Sequence, residues 1–415
     1  MREKKKNYVI IGNGTAAVGC IEGIRSVDAS GKITVISAER HHVYCRPLIS
    51  YYLEGKTDLD RILYRPEDFY KKNSCTVVYG HKAELIDHVK KNVTLDDGEV
   101  LPYDELCIAA GSSPFVPPME GLDSVKKKFS FMTLDDATAL EEALSPTSRV
   151  LIVGAGLIGL KCAEGIRDRA GEITVCDLAD RVLSSILDAE CAEFVKAHLE
   201  EHGIKFLLGD SVAEFRGDHA VMKSGAAVDF DVLVLAVGVR ANTSLIRDIG
   251  GVVGRGITVD AAMHTSVANV YAAGDCVEMR DMTDERVKVM ALLPNAYMGG
   301  RCAGVNMAGG SAAFDCAIPM NSIGFFGLHI MSAGSYVDAE VYEEHDSHHI
   351  KKLFTRDGFL VGFLLVGEVE RAGIYTSMIR RRVPLSSVDF EGLKKVPNLY
   401  SFSAEYRRKQ LGGVV

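Results

Sequence analysis

Two ten-residue stretches decide the fold: residues 8–17, YVIIGNGTAA, and residues 150–159, VLIVGAGLIG. Each runs a short apolar strand into a glycine turn and then into a helix. The first turn is Gly12-Asn13-Gly14-Thr15-Ala16-Ala17, a GxGxxA pattern; the second is Gly154-Ala155-Gly156-Leu157-Ile158-Gly159, a GxGxxG pattern. The first glycine permits the tight turn. The second lets backbone approach a pyrophosphate, and the third small residue lets helix and strand pack closely. Phosphate oxygens then meet free N–H groups at the helix start. One such motif is weak, but two in the same strand–turn–helix context predict two dinucleotide sites.

The repeat extends outward from these turns. Residues 103–111, YDELCIAAG, match residues 230–238, FDVLVLAVG, and each is preceded by a hairpin signal, LDDGEV (95–100) or MKSGAAV (222–228). The strand-to-glycine ends place Ala110, Gly111 and Gly238 beside the dinucleotides. Apolar strands followed by helices, expected at 16–25 and 160–169, imply parallel sheets buried on both faces. The fold class is therefore α/β, with two doubly wound, Rossmann-like domains. From Phe325 onward the pattern changes to alternating strands around an Asp357-Gly358 turn, then a helix at 372–382; this predicts a small α+β C-terminal domain. An acid about twenty residues after each turn should take the ribose hydroxyls. In the second unit that residue is Asp177, whose charge disfavours a 2′-phosphate and so favours NADH over NADPH, with Arg181 nearby as a counterweight. In the first unit Ser37 ends the strand, and Glu39 is the candidate.

Composition sets the boundaries. A chain of 415 residues with 47% hydrophobic and 25% charged residues is ordinary for a multidomain globular protein. Its net charge of −9 argues against nucleic acid as a partner. No apolar run approaches the roughly 18 residues of a membrane span. The basic start MREKKKN precedes only four apolar residues, Tyr8–Ile11, too few for a secretory signal. A cytoplasmic location is expected. Ten cysteines are scattered without CxxC or CxxxxC spacing. That speaks against a metal site or a neighbouring redox disulfide and suits a reducing compartment.

These motifs together resemble the pyridine-nucleotide-linked flavoprotein reductases of glutathione-reductase type, over nearly the whole chain. The resemblance implies FAD in the first unit and NAD(P)H in the second. It divides the chain into an FAD domain (1–115 and 244–324), an NAD(H) domain (116–243) and a C-terminal interface domain (325–415). SVANVYAAGDC (266–276) resembles the family strand whose Gly-Asp pair, here Gly274-Asp275, meets the ribityl chain. The helix that follows implies Asn295 and Ala296 at the flavin pyrimidine, where a helix N-terminus stabilises negative charge. YCRPLIS (44–50) resembles the YxRPxLS element of rubredoxin, nitrite and oxygenase-type ferredoxin reductases, which sets Arg46 and Pro47 against the flavin ring. Two positions depart from those relatives: Tyr51 replaces a lysine and Lys161 replaces a glutamate. Lys161 is then a candidate cation near flavin N5, provided burial leaves it a partner.

Hydride transfer from NADH to FAD needs alignment and no acid–base residue. The acceptor is less determined. Dithiol chemistry is excluded, because the CxxxxC pair and the C-terminal His-Pro element are absent. A cysteine-dependent NADH oxidase, peroxidase or coenzyme A disulfide reductase would use Cys45, activated by Arg46. The favoured partner is a small electron carrier, a ferredoxin or rubredoxin. Residues 371–415 carry nine Lys and Arg against three Asp and Glu on an otherwise acidic chain, a patch able to steer an acidic protein. A docking subunit of a larger redox complex shares every cofactor motif, and a homodimer is common in the family.

Overall fold

The computed structural model describes residues 5–411, which form two compact units. The larger comprises residues up to 184, 200–279 and 287–315; the smaller comprises 185–199, 280–286 and 316 onward.

The larger unit holds two five-stranded sheets of the same design. The first orders its strands Val270–Ala272, Glu105–Ile108, Asn7–Ile11, Lys32–Ser37 and Cys75–Tyr79, all parallel. The second orders Ile204–Leu208, Glu172–Asp177, Arg149–Val153, Val232–Leu235 and Lys128–Phe129, again all parallel. In both, the strand before the glycine turn is central, and the order reverses beside it. That reversal is the switch point, where open α/β sheets bind ligands at the carboxyl ends of their strands. Burial explains the near-continuous apolar runs: Val9, Ile10, Val150 and Leu151 are all almost fully buried. The paired hairpin signals become small antiparallel sheets, 83–102 and 212–229.

The turn helices are Thr15–Arg25 and Leu157–Ile166. Both start earlier than the apolar pattern suggested, because glycine caps them at Gly14 and Gly156. The first packs along the helix Leu293–Met307 through interlocked glycines. A Cβ on Gly19, Gly23, Gly300 or Gly304 would lie 2.0–2.3 Å from a carbonyl oxygen of the facing helix. Only glycine allows backbones that close.

The smaller unit is an antiparallel sheet ordered Met320–Phe325, Leu328–Gly334, Phe359–Val366, Ile350–Arg356 and Glu340–His345. Its central hairpin turns on Asp357 (φ 52°) and Gly358 (φ 77°), two positive φ values that define a type I′ turn. The helix Gly373–Arg380 buries Tyr375, Met378 and Ile379 in a core with Leu353, Phe363 and Leu365. The sheet begins at Met320, five residues before the sequence pattern indicated. Buried Lys352 ties it to the start of the helix Ala189–Glu201 through Asp188 (2.8 Å) and Glu190 (2.6 Å). No helix among the described residues is long and apolar enough to cross a membrane.

Candidate dinucleotide sites

The two turns share a backbone hydrogen bond at their first glycine. The Gly12 N–H donates to Ile36 O at 2.8 Å and the Gly154 N–H to Cys176 O at 2.7 Å. Gly12 (φ 110°) and Gly154 (φ 120°) occupy backbone closed to other residues. A Cβ on them would sit 2.1 Å from Ala109 O and 2.2 Å from Ala236 O. At Gly14 and Gly156 a Cβ would meet nothing within 4 Å. Space is therefore open at each helix start, where unpaired N–H groups favour an anion.

In the first half this space is a cavity of 390 Å³ at the switch point, within the size range of small-molecule sites. The structure brings Gly12, Gly14, Thr15, Ala16, Glu39, Arg46, Ala110, Gly111, Gly274, Asp275 and Ala296 together on its wall. Three expected residues are not on it. Ala17 is fully buried, Asn295 is 1% exposed, and Pro47 is the middle residue of the short 3-10 turn Arg46–Leu48 leading to the helix Ile49–Leu53. Arg46 pairs with Glu39 and donates to Met132 O at 3.0 Å. Burial raises the Asp275 carboxyl above its usual range, against the pull of Arg46.

The sequence reading missed one wall. Ser130, Met132, Thr133 and Asp136 line the cavity at the start of the helix Leu134–Ala143. Thr133 Oγ1 accepts from the Asp136 N–H at 3.0 Å, and Asp136 Oδ2 accepts from the Thr133 N–H at 3.0 Å. The signal was present as Thr-x-x-Asp before an apolar run, a capping box. Ser112 and Ser113, also on the wall, follow the first strand-to-glycine element. Their strand Ser112–Pro114 pairs antiparallel with Val239–Ala241, the strand after the second such element. The two repeats are thus stitched to each other at matching points.

In the second half Asp177 stands at the turn itself. Its Oδ2 accepts from the Ala155 N–H at 2.7 Å and its Oδ1 from the Ala179 N–H at 2.8 Å. Leu157 and Ile158 open the turn helix, and a Cβ on Gly159 would lie 1.9 Å from Gly154 O. Gly238 accepts at its carbonyl from the Phe115 N–H at 2.9 Å. The matching hydrogen bonds put Ser37 in register with Asp177, and Glu39 two residues further along the chain.

Lys161 and Cys45 lie outside the cavity wall. Lys161 is not a lone cation: its ammonium pairs with the carboxylate of Glu164 one turn on, and lies 4.4 Å from the ring centre of Tyr51. The two replaced positions of the reductase pattern therefore still touch each other. At Cys45, the residue the oxidase alternative would use, burial pushes the thiol pKa up, against a backbone hydrogen bond from Leu48. The guanidinium of Arg46 is engaged by Glu39 instead.

A pair of switch-point turns, one of them opening on a cavity with a half-buried acid and an arginine, defines a two-dinucleotide oxidoreductase. The pyridine nucleotide-disulphide oxidoreductase family model matches residues 6–300, and the chain belongs to that family. It is 32% identical to the epsilon subunit of an NADH-dependent phenylglyoxylate dehydrogenase from Aromatoleum evansii, over 91% of this chain and 92% of that one. It is 31% identical to a nitrite reductase (NAD(P)H) of Bacillus subtilis, over 92% of this chain but only 48% of that longer protein. Among solved structures, NADH:rubredoxin oxidoreductase from Clostridium acetobutylicum superposes with a TM-score of 0.73 at 25% identity, covering 91% of this chain and 96% of that one. The chain is an FAD-dependent oxidoreductase of this family. The thiol pair in the family's name has no counterpart in its cysteine spacing.

Proposed function

We propose that this chain oxidises NADH on FAD and passes the electrons to a small carrier protein of rubredoxin or ferredoxin type. The observation that carries the reading is the pair of matched switch-point turns, with Glu39, Arg46 and Asp275 converging on the cavity of the first. The open space over Gly14 accepts a pyrophosphate, and Glu39 and Asp275 offer acceptors for hydroxyl groups along an extended dinucleotide. When bound, FAD supplies hydride acceptance from the nicotinamide and release of electrons one at a time. The protein's part is alignment. Asp177, fixed by two backbone N–H groups, presents its charge where a 2′-phosphate would sit, which selects NADH. Lys161, neutralised by Glu164 and stacked on Tyr51, places a paired cation between the second turn helix and the helix Ile49–Leu53. In this reading it tunes the flavin potential, and Lys161→Met shifts that potential and slows hydride transfer.

The carrier assignment draws on the rubredoxin-reducing neighbour and on the basic stretch 371–415. A second reading, electron-input subunit of a larger redox complex, draws on the epsilon-subunit relative, which matches nearly end to end. Anaerobic reduction of the FAD-loaded protein by NADH, followed by stopped-flow mixing with separate acceptors, decides between them. Fast reoxidation by rubredoxin or ferredoxin, slowed by salt and unchanged in Cys45→Ser, supports the carrier reading. Fast NADH reduction without turnover on any carrier favours the complex subunit. Reoxidation by oxygen, peroxide or coenzyme A disulfide alone, lost in Cys45→Ser, overturns both.

A further inference from the structure

Tyr44 is 7% exposed, yet its hydroxyl has three polar neighbours. It donates to Glu39 Oε2 at 2.6 Å and accepts from the Leu134 N–H at 2.9 Å. Arg46 Nη1 approaches the same oxygen at 3.4 Å. Leu134 opens the helix Leu134–Ala143, so this N–H is one of the helix's unpaired donors. A phenol has one proton to give and lone pairs to accept with. Here the proton is committed to the Glu39 carboxylate, and the helix N–H holds the oxygen from behind. Burial, reinforced by the charge of Glu39, pushes the phenol pKa up, so the hydroxyl stays a donor throughout the physiological range.

Glu39, Tyr44 and Arg46 all line the first cavity. Arg46 grips one oxygen of Glu39 and Tyr44 the other, so the carboxylate is fixed from two sides. Arg46 is fixed in turn by Met132 O, two residues before the helix start. One buried hydroxyl thus joins the acid of the first half to the helix forming the cavity's far wall.

We infer that Tyr44 is a positioning residue for dinucleotide capture: it orients the Glu39 carboxylate toward the adenosine ribose and ties that orientation to the start of the helix Leu134–Ala143. This rests on the FAD assignment of the first cavity.

Deflavinated whole protein, titrated with FAD and with FMN by flavin fluorescence, tests it. FMN lacks the adenosine half, the part that this assignment gives to Glu39. Tyr44→Phe is expected to weaken FAD about tenfold and to leave FMN within about twofold. Glu39→Gln is expected to cost less affinity in the Tyr44→Phe background than in the natural protein, as for coupled neighbours. Equal weakening of FAD and FMN, or strictly additive losses in the double variant, overturns the positioning role and leaves Tyr44 as packing. Natural protein that takes up no FAD overturns the cofactor assignment and this inference with it.

Discussion

The two glycine turns share a backbone but are held in different ways. The first is held from outside: its helix crosses Leu293–Met307 so closely that Gly19, Gly23, Gly300 and Gly304 admit no side chain. The second is held from within. Asp177 bonds the turn's own Ala155 N–H, and Gly159 brings the helix onto the Gly154 carbonyl. The first turn has Ala17 at that third position and tolerates its methyl. The second helix packs against the helix Ile49–Leu53. Packing over a whole helix sets a rigid site for a resident group. A carboxylate at the turn sets a local one, suited to a nucleotide that comes and goes.

The sharpest way to break this comparison is to insert one methyl in each turn. Gly12→Ala and Gly154→Ala each force a Cβ within about 2.2 Å of a backbone carbonyl at a positive φ, a strain of several kcal/mol. Gly12→Ala is expected to yield colourless protein, with FAD affinity down by about a hundredfold or more. Gly154→Ala is expected to stay yellow but to lose NADH affinity by a similar factor, read by the rate of flavin bleaching against NADH concentration. Loss of FAD from Gly154→Ala would show that the halves are not independent.

A smaller effect separates the two modes of support. Gly300→Ala places a methyl 2.0 Å from Ala16 O in the first helix crossing, whereas Gly165→Ala places one 2.8 Å from Ser50 O beside the second helix. The first should destabilise the deflavinated protein by about 3 kcal/mol, as severe overpacking does, and the second by about 1 kcal/mol. Denaturant unfolding of both variants gives the ratio directly. Equal losses would mean that the glycine crossing has no special place in supporting the first turn.

The fold was legible because its signals are local. Each turn is announced by six consecutive residues, and the strand order follows once both units are seen to repeat. Asp357-Gly358 likewise carried its own turn type. Contacts made across the sequence were harder to read. Nothing near Thr133 says that its helix will face Glu39, about ninety residues earlier. Tyr44 was visible only as the first letter of a motif, and its three polar contacts depend on that remote helix. Lys161 was expected to need a partner if buried, but only the helix shows which: Glu164, three residues on and almost fully buried, takes its ammonium. The alternative use of Cys45 drew on Arg46, its neighbour in sequence, while in space Arg46 pairs with Glu39.

The smallest expected effect contrasts the acids of the two halves. Burial raises the Asp275 carboxyl above its ordinary 3.8. A carboxyl with a raised folded-state pKa favours the folded protein while it is protonated. That contribution is complete below 3.8 and is lost as pH rises through the raised value. Asp275→Asn keeps a neutral group at every pH. The deflavinated variant should therefore show a flatter stability profile than the natural protein just above pH 3.8, and should be at least as stable at neutral pH. Asp177 differs in its contacts, with both oxygens accepting from backbone N–H groups. Asp177→Asn weakens those bonds and should cost about 1 kcal/mol at neutral pH. Parallel denaturant titrations at pH 4, 5, 6 and 7 (on the order of unit steps) would compare the two. If Asp275→Asn is the more damaging at neutral pH, its carboxylate is satisfied within the folded chain itself, and the first cavity does not hold a strained charge for its dinucleotide to relieve.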